Sequence, residues 1–286
     1  MSHSARRCAL IIAGSSVLAG FALVAPAYAA TSGHSAAAAQ VAGPRTPTGA
    51  PVRPGGISHL VGPRTTHAGR NTTTTSTNWS GYAATGGTYT GVSSSWTEPT
   101  GTCSSGDQYS SFWVGLDGYG SDSVEQTGSE VDCNGRTPEY YSWYEMYPAN
   151  PVNFSNTVKP GDRFTGSVTY TGGSSFTLKL SDTTEGWSHT VTKTLSGAAR
   201  SSAEVIAEAP CCTDSGGILP LADFTKVSFT AATVDGSPIG SFNPVGIDMV
   251  SANDVQEDSI SSLTSGENFS ATWLSSGTSR RGGPRG

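Results

Sequence analysis

The chain has 286 residues, only 13% of them charged, with 22 acidic and 16 basic side chains and a formal net charge of −6. All 22 acids lie at Glu98 or later, so residues 71–286 carry 10 Lys and Arg against those 22, a formal charge of 10 − 22 = −12, and a domain this acidic is a poor ligand for nucleic acid. Beyond the N-terminal leader no run approaches the ~20 apolar residues that span a bilayer, which argues against a membrane protein.

Taken in order, the first residues combine Arg6 and Arg7, an apolar middle and Ala27-Tyr28-Ala29 as a small-x-small cleavage site. Residues 1–29 therefore read as a secretory signal peptide, and the protein as secreted and extracellular. Residues 30–70 are rich in Ala, Gly, Pro, Ser and Thr, and their only formal charges are Arg45, Arg53, Arg64 and Arg70. This is the composition of a detachable basic pro-segment, although a linker that merely lacks acids has the same composition. A basic segment lying on an acidic cleft is held at neutral pH and released as carboxylates protonate, which makes it the expected inhibitor of its own domain.

Residues 71–274 form the main domain. Short runs rich in Val, Thr, Tyr, Phe and Trp alternate with Gly, Pro, Asn and Ser turns, the pattern of an all-β sandwich or barrel. Strands are expected over 79–85, 89–97, 110–117, 123–131, 138–147, 163–171, 175–182, 187–195, 202–209, 224–233, 244–250 and 268–274, with a hairpin at Thr171-Gly172-Gly173-Ser174. Residues 275–286, with Arg280, Arg281 and Arg285 among glycines, read as a flexible tail. Cys8 leaves with the leader. Cys103 and Cys133, each beside a strand end, are the expected disulfide, since a bridge between the adjacent Cys211 and Cys212 is strained.

Side chains two apart in a strand share a face. Phe176, Leu178 and Leu180 make an ordinary core stripe. Other faces mix aromatic and carboxyl groups: Trp113 with Asp117, Trp143 with Glu145 and Tyr147, Glu204 with Ile206 and Glu208. Recurrent polar groups on such faces point to a lined groove rather than a simple core.

Elimination narrows the chemistry of that groove. Of the five histidines, His3, His34, His59 and His67 precede the domain, leaving His189 in what reads as an exposed strand. Ser-His and Cys-His catalysis and zinc sites are therefore poorly supplied, no phosphate-binding Gly motif with a Lys is present, and no cofactor is called for. Carboxyl and carboxamide groups remain. A carboxylate of reference pKa about 4.3 serves as base and then acid in mild acid, whereas Gln126, in Val124-Glu125-Gln126-Thr127-Gly128, stays neutral throughout. A low charge density suits the same range, since a fold with few ion pairs loses little when carboxylates protonate.

Asn78-Trp79-Ser80-Gly81-Tyr82, Phe112-Trp113-Val114-Gly115-Leu116-Asp117-Gly118, Gln126-Thr127-Gly128, Trp143-Tyr144-Glu145-Met146-Tyr147-Pro148 and Ala203-Glu204-Val205-Ile206-Ala207-Glu208 occur in that order. In these blocks, spanning about 77–250, the chain resembles the glutamic peptidases, or eqolisins. The resemblance implies an antiparallel β-sandwich of two large curved sheets, lectin-like in the manner of concanavalin A, and an acid endopeptidase with a Gln and Glu dyad at Gln126 and Glu204. It further implies that Trp79, Trp113 and Trp143 wall the substrate groove and that Asp117 and Glu145 hold the dyad by hydrogen bonds. Substrates are then proteins or peptides and the enzyme a monomer. Val205 stands where the family often has Trp, on the face opposite Glu204, and Glu208 is the alternative base. Two rival readings use the same face: a glycoside hydrolase on a jelly-roll sandwich with Glu145 and Glu204 as its carboxyl pair, and a non-catalytic lectin with Trp platforms.

Overall fold

The computed structural model describes residues 73–210 and 217–277. The expected signal peptide, the pro-segment, Cys211, Cys212 and most of the expected tail lie outside those residues. The described strands are β1 (Thr73–Ser76), β2 (Trp79–Thr85), β3 (Gly91–Thr97), β4 (Gln108–Leu116), β5 (Val124–Asn134), β6 (Thr137–Tyr147), β7 (Val152–Asn153), β8 (Arg163–Gly172), β9 (Ser175–Asp182), β10 (Trp187–Thr194), β11 (Ser202–Glu208), β12 (Lys226–Val234), β13 (Ser237–Pro238), β14 (Val245–Val250), β15 (Gln256–Ile260) and β16 (Phe269–Trp273), with one turn of 3-10 helix at Ile239–Phe242. Among the described residues no helix is long and apolar enough to cross a membrane.

Every strand expected from the sequence is present, and β1, β7, β13 and β15 are additions. β15 escapes sequence reasoning because Glu257 and Asp258 in it are both buried, and no pattern rule buries adjacent acids. The strands pair in the order β10-β9-β8-β3-β12-β16-β15-β14-β2-β11-β4-β5-β6-β7, with β1 joining β14 in parallel and β13 joining β12. All the other pairs are antiparallel. The path doubles back near β15, so that β4 and β5 pack on β8 and β9, and β11 on β3 and β12. The result is an antiparallel β-sandwich.

Alternation decides what fills it. β8 and β9 send Phe164, Val168, Phe176, Leu178 and Leu180 inward, against Phe112, Val114 and Leu116 of β4 and Ala203, Val205 and Ala207 of β11. Val205 is thus fully buried in the core, facing away from Glu204. On the outer face of the β8 and β9 side, neighbouring strands are joined by hydroxyl pairs, Ser93 with Thr233, Ser95 with Thr165 and Ser181 with Ser188, each at 2.8 Å. Sheet β2-β11-β4-β5-β6 differs. Its second face is also buried and carries Trp79, Trp113, Val124, Trp143 and Ile206, which explains the unbroken burial of β4 and β11 along most of their length.

Cys103 is bonded to Cys133 near the start of β4 and the end of β5, with Cα atoms 5.4 Å apart, as the strand ends suggested. His189 stacks on Phe154 at 4.3 Å and bonds to Asn156 through Nε2 at 2.6 Å. It lies on β10, in the opposite sheet from Gln126 and Glu204.

Candidate active site

Register on the second face of the β2-β11-β4-β5-β6 sheet places the sequence blocks in rows. Glu204 of β11 is opposite Ala83 of β2 and Gly115 of β4; Gly115 is opposite Gln126 of β5; Gln126 is opposite Glu145 of β6. One row thus reads Ala83, Glu204, Gly115, Gln126, Glu145. Its neighbour reads Gly81, Ile206, Trp113, Gly128, Trp143.

Gly115 separates Glu204 from Gln126 by two strand spacings, roughly 9.5 Å between Cα atoms. The gap between the Glu carboxyl and the Gln amide therefore holds no side chain from β4 at this row, and the edge of the Trp113 ring lies over it. A Cβ at Gly115 would lie 2.9 Å from Trp113 Cζ3 and 3.2 Å from Gln126 Cβ. Gly128, the glycine of the Gln-Thr-Gly block, has a related duty: a Cβ there would lie 2.2 Å from Phe112 O and 2.6 Å from Trp113 Cβ. Only glycine lets β5 approach β4 beside Trp113.

Gln126 and Glu204 are buried, which answers whether this strand glutamine is a surface residue. Gln126 Nε2 donates to Glu145 Oε2 at 2.6 Å, while Gln126 Oε1 and Glu145 Oε1 have no hydrogen-bond partner. Neither oxygen of Glu204 meets a donor in hydrogen-bond geometry. Burial pushes the Glu204 carboxyl well above the usual range; the Ser202 hydroxyl and Tyr119 N–H offset part of this, and Asp117 and Glu125 add to it. Burial likewise raises Glu145 to about 7, against the opposing effect of the Gln126 amide.

The remaining expected residues divide. Trp79 and Trp113 meet edge to face with centroids 5.0 Å apart, and Trp143 is buried on the same face. Asp117 has a different bonding pattern from the one expected. Its carboxyl accepts the backbone N–H of Arg200 at 2.7 Å and of Ser201 at 2.8 Å, and its own N–H donates to Ser202 O at 3.0 Å. Asp117 therefore ties the end of β4 to the chain entering β11, and bonds to neither Gln126 nor Glu204. Its φ of 67° marks the turn that makes this possible. Glu208, the alternative base, accepts from Trp113 Nε1 at 2.8 Å and from Asn78 Nδ2 at 3.1 Å.

Past the end of β4, where Asp117 bonds to Ser201, lies a cavity of about 400 Å³, lined among others by Ser121, Asp122, Ser123, Pro148, Leu195 and Ser201. Among the described residues no group of three or more His, Cys, Asp or Glu side chains is placed to hold a metal ion. Sequence reasoning did not single out Gly115 or the bonding of Glu208. The signal for the first was present, since a glycine inside a strand marks close approach or a gap.

The family model described as the Peptidase A4 family matches residues 77–273. The chain belongs to the peptidase A4 family. This A4 peptidase is similar to solved glutamic peptidases along nearly their whole length. Against scytalido-glutamic peptidase, solved with a transition state analog inhibitor, identity is 26% and the TM-score 0.61, covering 69% of this chain and 98% of the other. SCP-B, a member of the eqolisin family solved with the tripeptide Ala-Ile-His, gives 25% and 0.58, with 69% and 98% covered. Aspergilloglutamic peptidase from Aspergillus niger gives 28% and 0.52, with 58% and 99% covered. No curated protein sequence matches the chain. Membership in the A4 family makes the protein a glutamic peptidase, a hydrolase of protein or peptide substrates, and decides against the glycoside hydrolase and lectin readings.

Proposed function

We propose that this A4 peptidase is a secreted endopeptidase active in acid, and that Glu204 and Gln126 cleave the peptide bond by direct attack of water. The observation that carries the reading is the row in which these two side chains flank the bare Cα of Gly115. Glu204 is favoured over Glu208 because it stands in the row of Gln126 and no donor meets its oxygens in full hydrogen-bond geometry, whereas both oxygens of Glu208 are engaged. Trp79, Trp113 and Trp143 supply apolar walls on the same face.

In the mechanism Glu204 removes a proton from a water in the gap as the water oxygen bonds to the scissile carbonyl carbon. The Gln126 amide donates to the resulting oxyanion and does not titrate in acid; a donor of this kind is worth about 2.7–4 kcal/mol in the barrier. Protonated Glu204 then passes its proton to the departing amine and the C–N bond breaks, with no covalent intermediate. Burial favours the protonated form of Glu204. A water and a substrate amide between the two groups add donors to those of Ser202 and Tyr119, and hydrogen bonds to a carboxylate lower its proton affinity towards the working range. Glu145 holds the Gln126 amide in place through the bond to Nε2.

Residues 1–29 are proposed as the leader and 30–70 as the basic inhibitor released in acid, from a monomeric enzyme. The deciding experiment purifies the precursor at neutral pH, acidifies it, and follows chain length and peptide hydrolysis from about pH 2 to 5, where carboxyls titrate. Glu204→Ala and Gln126→Ala are expected to lower kcat by about 10²–10³ or more while remaining folded. Near-native hydrolysis by either variant would refute the dyad. A precursor that never shortens or gains activity would refute the inhibitor.

A further inference from the structure

Trp113 is held at both ends. Its indole Nε1 donates to Glu208 Oε2 at 2.8 Å, and Cζ3, on the opposite edge of the ring, lies beside the bare Cα of Gly115, 2.9 Å from where a Cβ would stand. The indole therefore runs along the groove from the row of Glu208 to the row of Glu204 and Gln126. Glu208 is anchored in turn. Its Oε1 accepts Asn78 Nδ2 at 3.1 Å, Asn78 Oδ1 accepts Ser76 Oγ at 3.1 Å, and Ala209 N–H donates to Asn78 O at 2.8 Å. The Trp79 ring closes the other flank of Trp113.

A buried carboxyl with no cationic partner among the described residues is an expensive way to fill this space. Replacing buried charged groups by apolar residues of similar volume is often neutral or stabilising, so packing alone does not account for a glutamate here. Glu208 stands four residue steps beyond Glu204 on β11, roughly 13 Å along the strand, too far for Glu208 to share the reacting proton. What it does reach is the indole N–H.

We propose that Glu208 is a positioning residue: by accepting the Trp113 indole N–H it fixes the ring edge that bounds the gap between Glu204 and Gln126, and so keeps open the slot for water and the scissile carbonyl. The inference rests on the peptidase reading above. Burial raises the Glu208 carboxyl to about 8, with Glu145 adding to this and Trp113, Trp79 and Asn78 opposing it, so in acid the group is a neutral acceptor and its role does not depend on ionisation.

The test measures kcat and KM for a quenched-fluorescence peptide in acid for Glu208→Gln and Glu208→Leu, each with Trp113 intact and with Trp113→Phe. Glu208→Leu is expected to lower kcat by roughly 10–100-fold, as small displacements at a reacting site do, with KM little changed. Glu208→Gln, whose amide oxygen still accepts the N–H, is expected to recover most of that loss with an unaltered pH profile. On the Trp113→Phe background, which has no N–H, Leu and Gln at position 208 should be equivalent. Where the Leu variant does not fold, Glu208→Met makes the same test.

A folded Leu or Met variant with near-native kcat, a loss confined to KM, or a difference that survives in the Phe background overturns the proposal. A loss with Gln as large as with Leu also overturns it, and points to Glu208 as the base. If the intact enzyme hydrolyses no peptide, the peptidase reading fails by itself. The deuterium exchange of the Trp113 indole N–H, followed by NMR, then decides the positioning claim: faster exchange in the Leu variant than in wild type or Gln supports it, and equal exchange ends it.

Discussion

Glu204 and Gln126 face one another across Gly115, three residues of one row on three adjacent strands. Each strand contributes one element of the arrangement: β11 a carboxyl that no donor meets in full hydrogen-bond geometry, β4 a position without a side chain, β5 an amide held from behind by Glu145. The empty position is as much a part of the site as its two functional groups.

Gly115→Ala tests that statement. The added methyl would stand 2.9 Å from Trp113 Cζ3 and 3.2 Å from Gln126 Cβ, so ring or amide must move. Overpacking of this kind costs about 1–3 kcal/mol of stability, yet the loss in kcat/KM is expected to reach ~100-fold because the reacting groups are displaced. Melting and peptide hydrolysis on the same preparation separate the two effects. An alanine variant with near-native turnover would show that the reaction takes place elsewhere.

Asp117→Ala should act on stability first. It removes the acceptor for the Arg200 and Ser201 N–H groups and places alanine at a φ of 67°. Lost bonds to a buried acceptor and backbone strain together are worth about 2–4 kcal/mol. Asp117→Asn keeps an acceptor oxygen and tolerates that φ, so urea denaturation should rank wild type above Asn and Asn above Ala. Equal midpoints for Ala and wild type would mean that the turn into β11 is held by other contacts.

Stability should fall as pH rises towards neutrality. Burial raises Glu98, Glu208 and Glu257 to about 8 and Asp258 to about 7, from 4.5 for Glu and 3.8 for Asp. Below pH ~4 these groups hold a proton folded or unfolded, and nothing is lost. Above it the unfolded chain releases protons that the folded one keeps, so unfolding is favoured progressively until the folded groups also ionise near pH 8. The sign is opposite to that of salt-bridged carboxylates. A melting temperature higher at pH 4 than at pH 7.5 by ~10 °C or more is expected, since 1 kcal/mol shifts a domain of this size by ~2–4 °C. A melting curve independent of pH over that range would contradict it.

Much of this was legible in the sequence because two signals agreed. Alternation in Phe176-Thr177-Leu178-Lys179-Leu180 and its neighbours located the core strands, and the ordered blocks located Gln126 and Glu204 in strands whose register then brought them into one row. What alternation does not carry is bonding. Asp117 and Glu145 look alike as carboxyls near the groove, but a positive φ turns Asp117 towards the Arg200–Ser201 backbone, while Glu145 stays in the row and binds Gln126. Glu208 hides for a similar reason, since its partners come from distant parts of the chain, Asn78 from the turn before β2 and Trp113 from β4. β15 was missed because its burial of Glu257 and Asp258 inverts the rule by which strands are found.

The cross-strand hydroxyl pairs on the far sheet, Ser93 with Thr233, Ser95 with Thr165 and Ser181 with Ser188, carry no net charge for a counterion to screen and no proton that a change of medium removes. The cohesion that these pairs supply is therefore indifferent to ionic strength as well as to acidity. These contacts stay the same in brine and in dilute acid, and the fold's response to acidity falls instead on the carboxyls buried elsewhere in it.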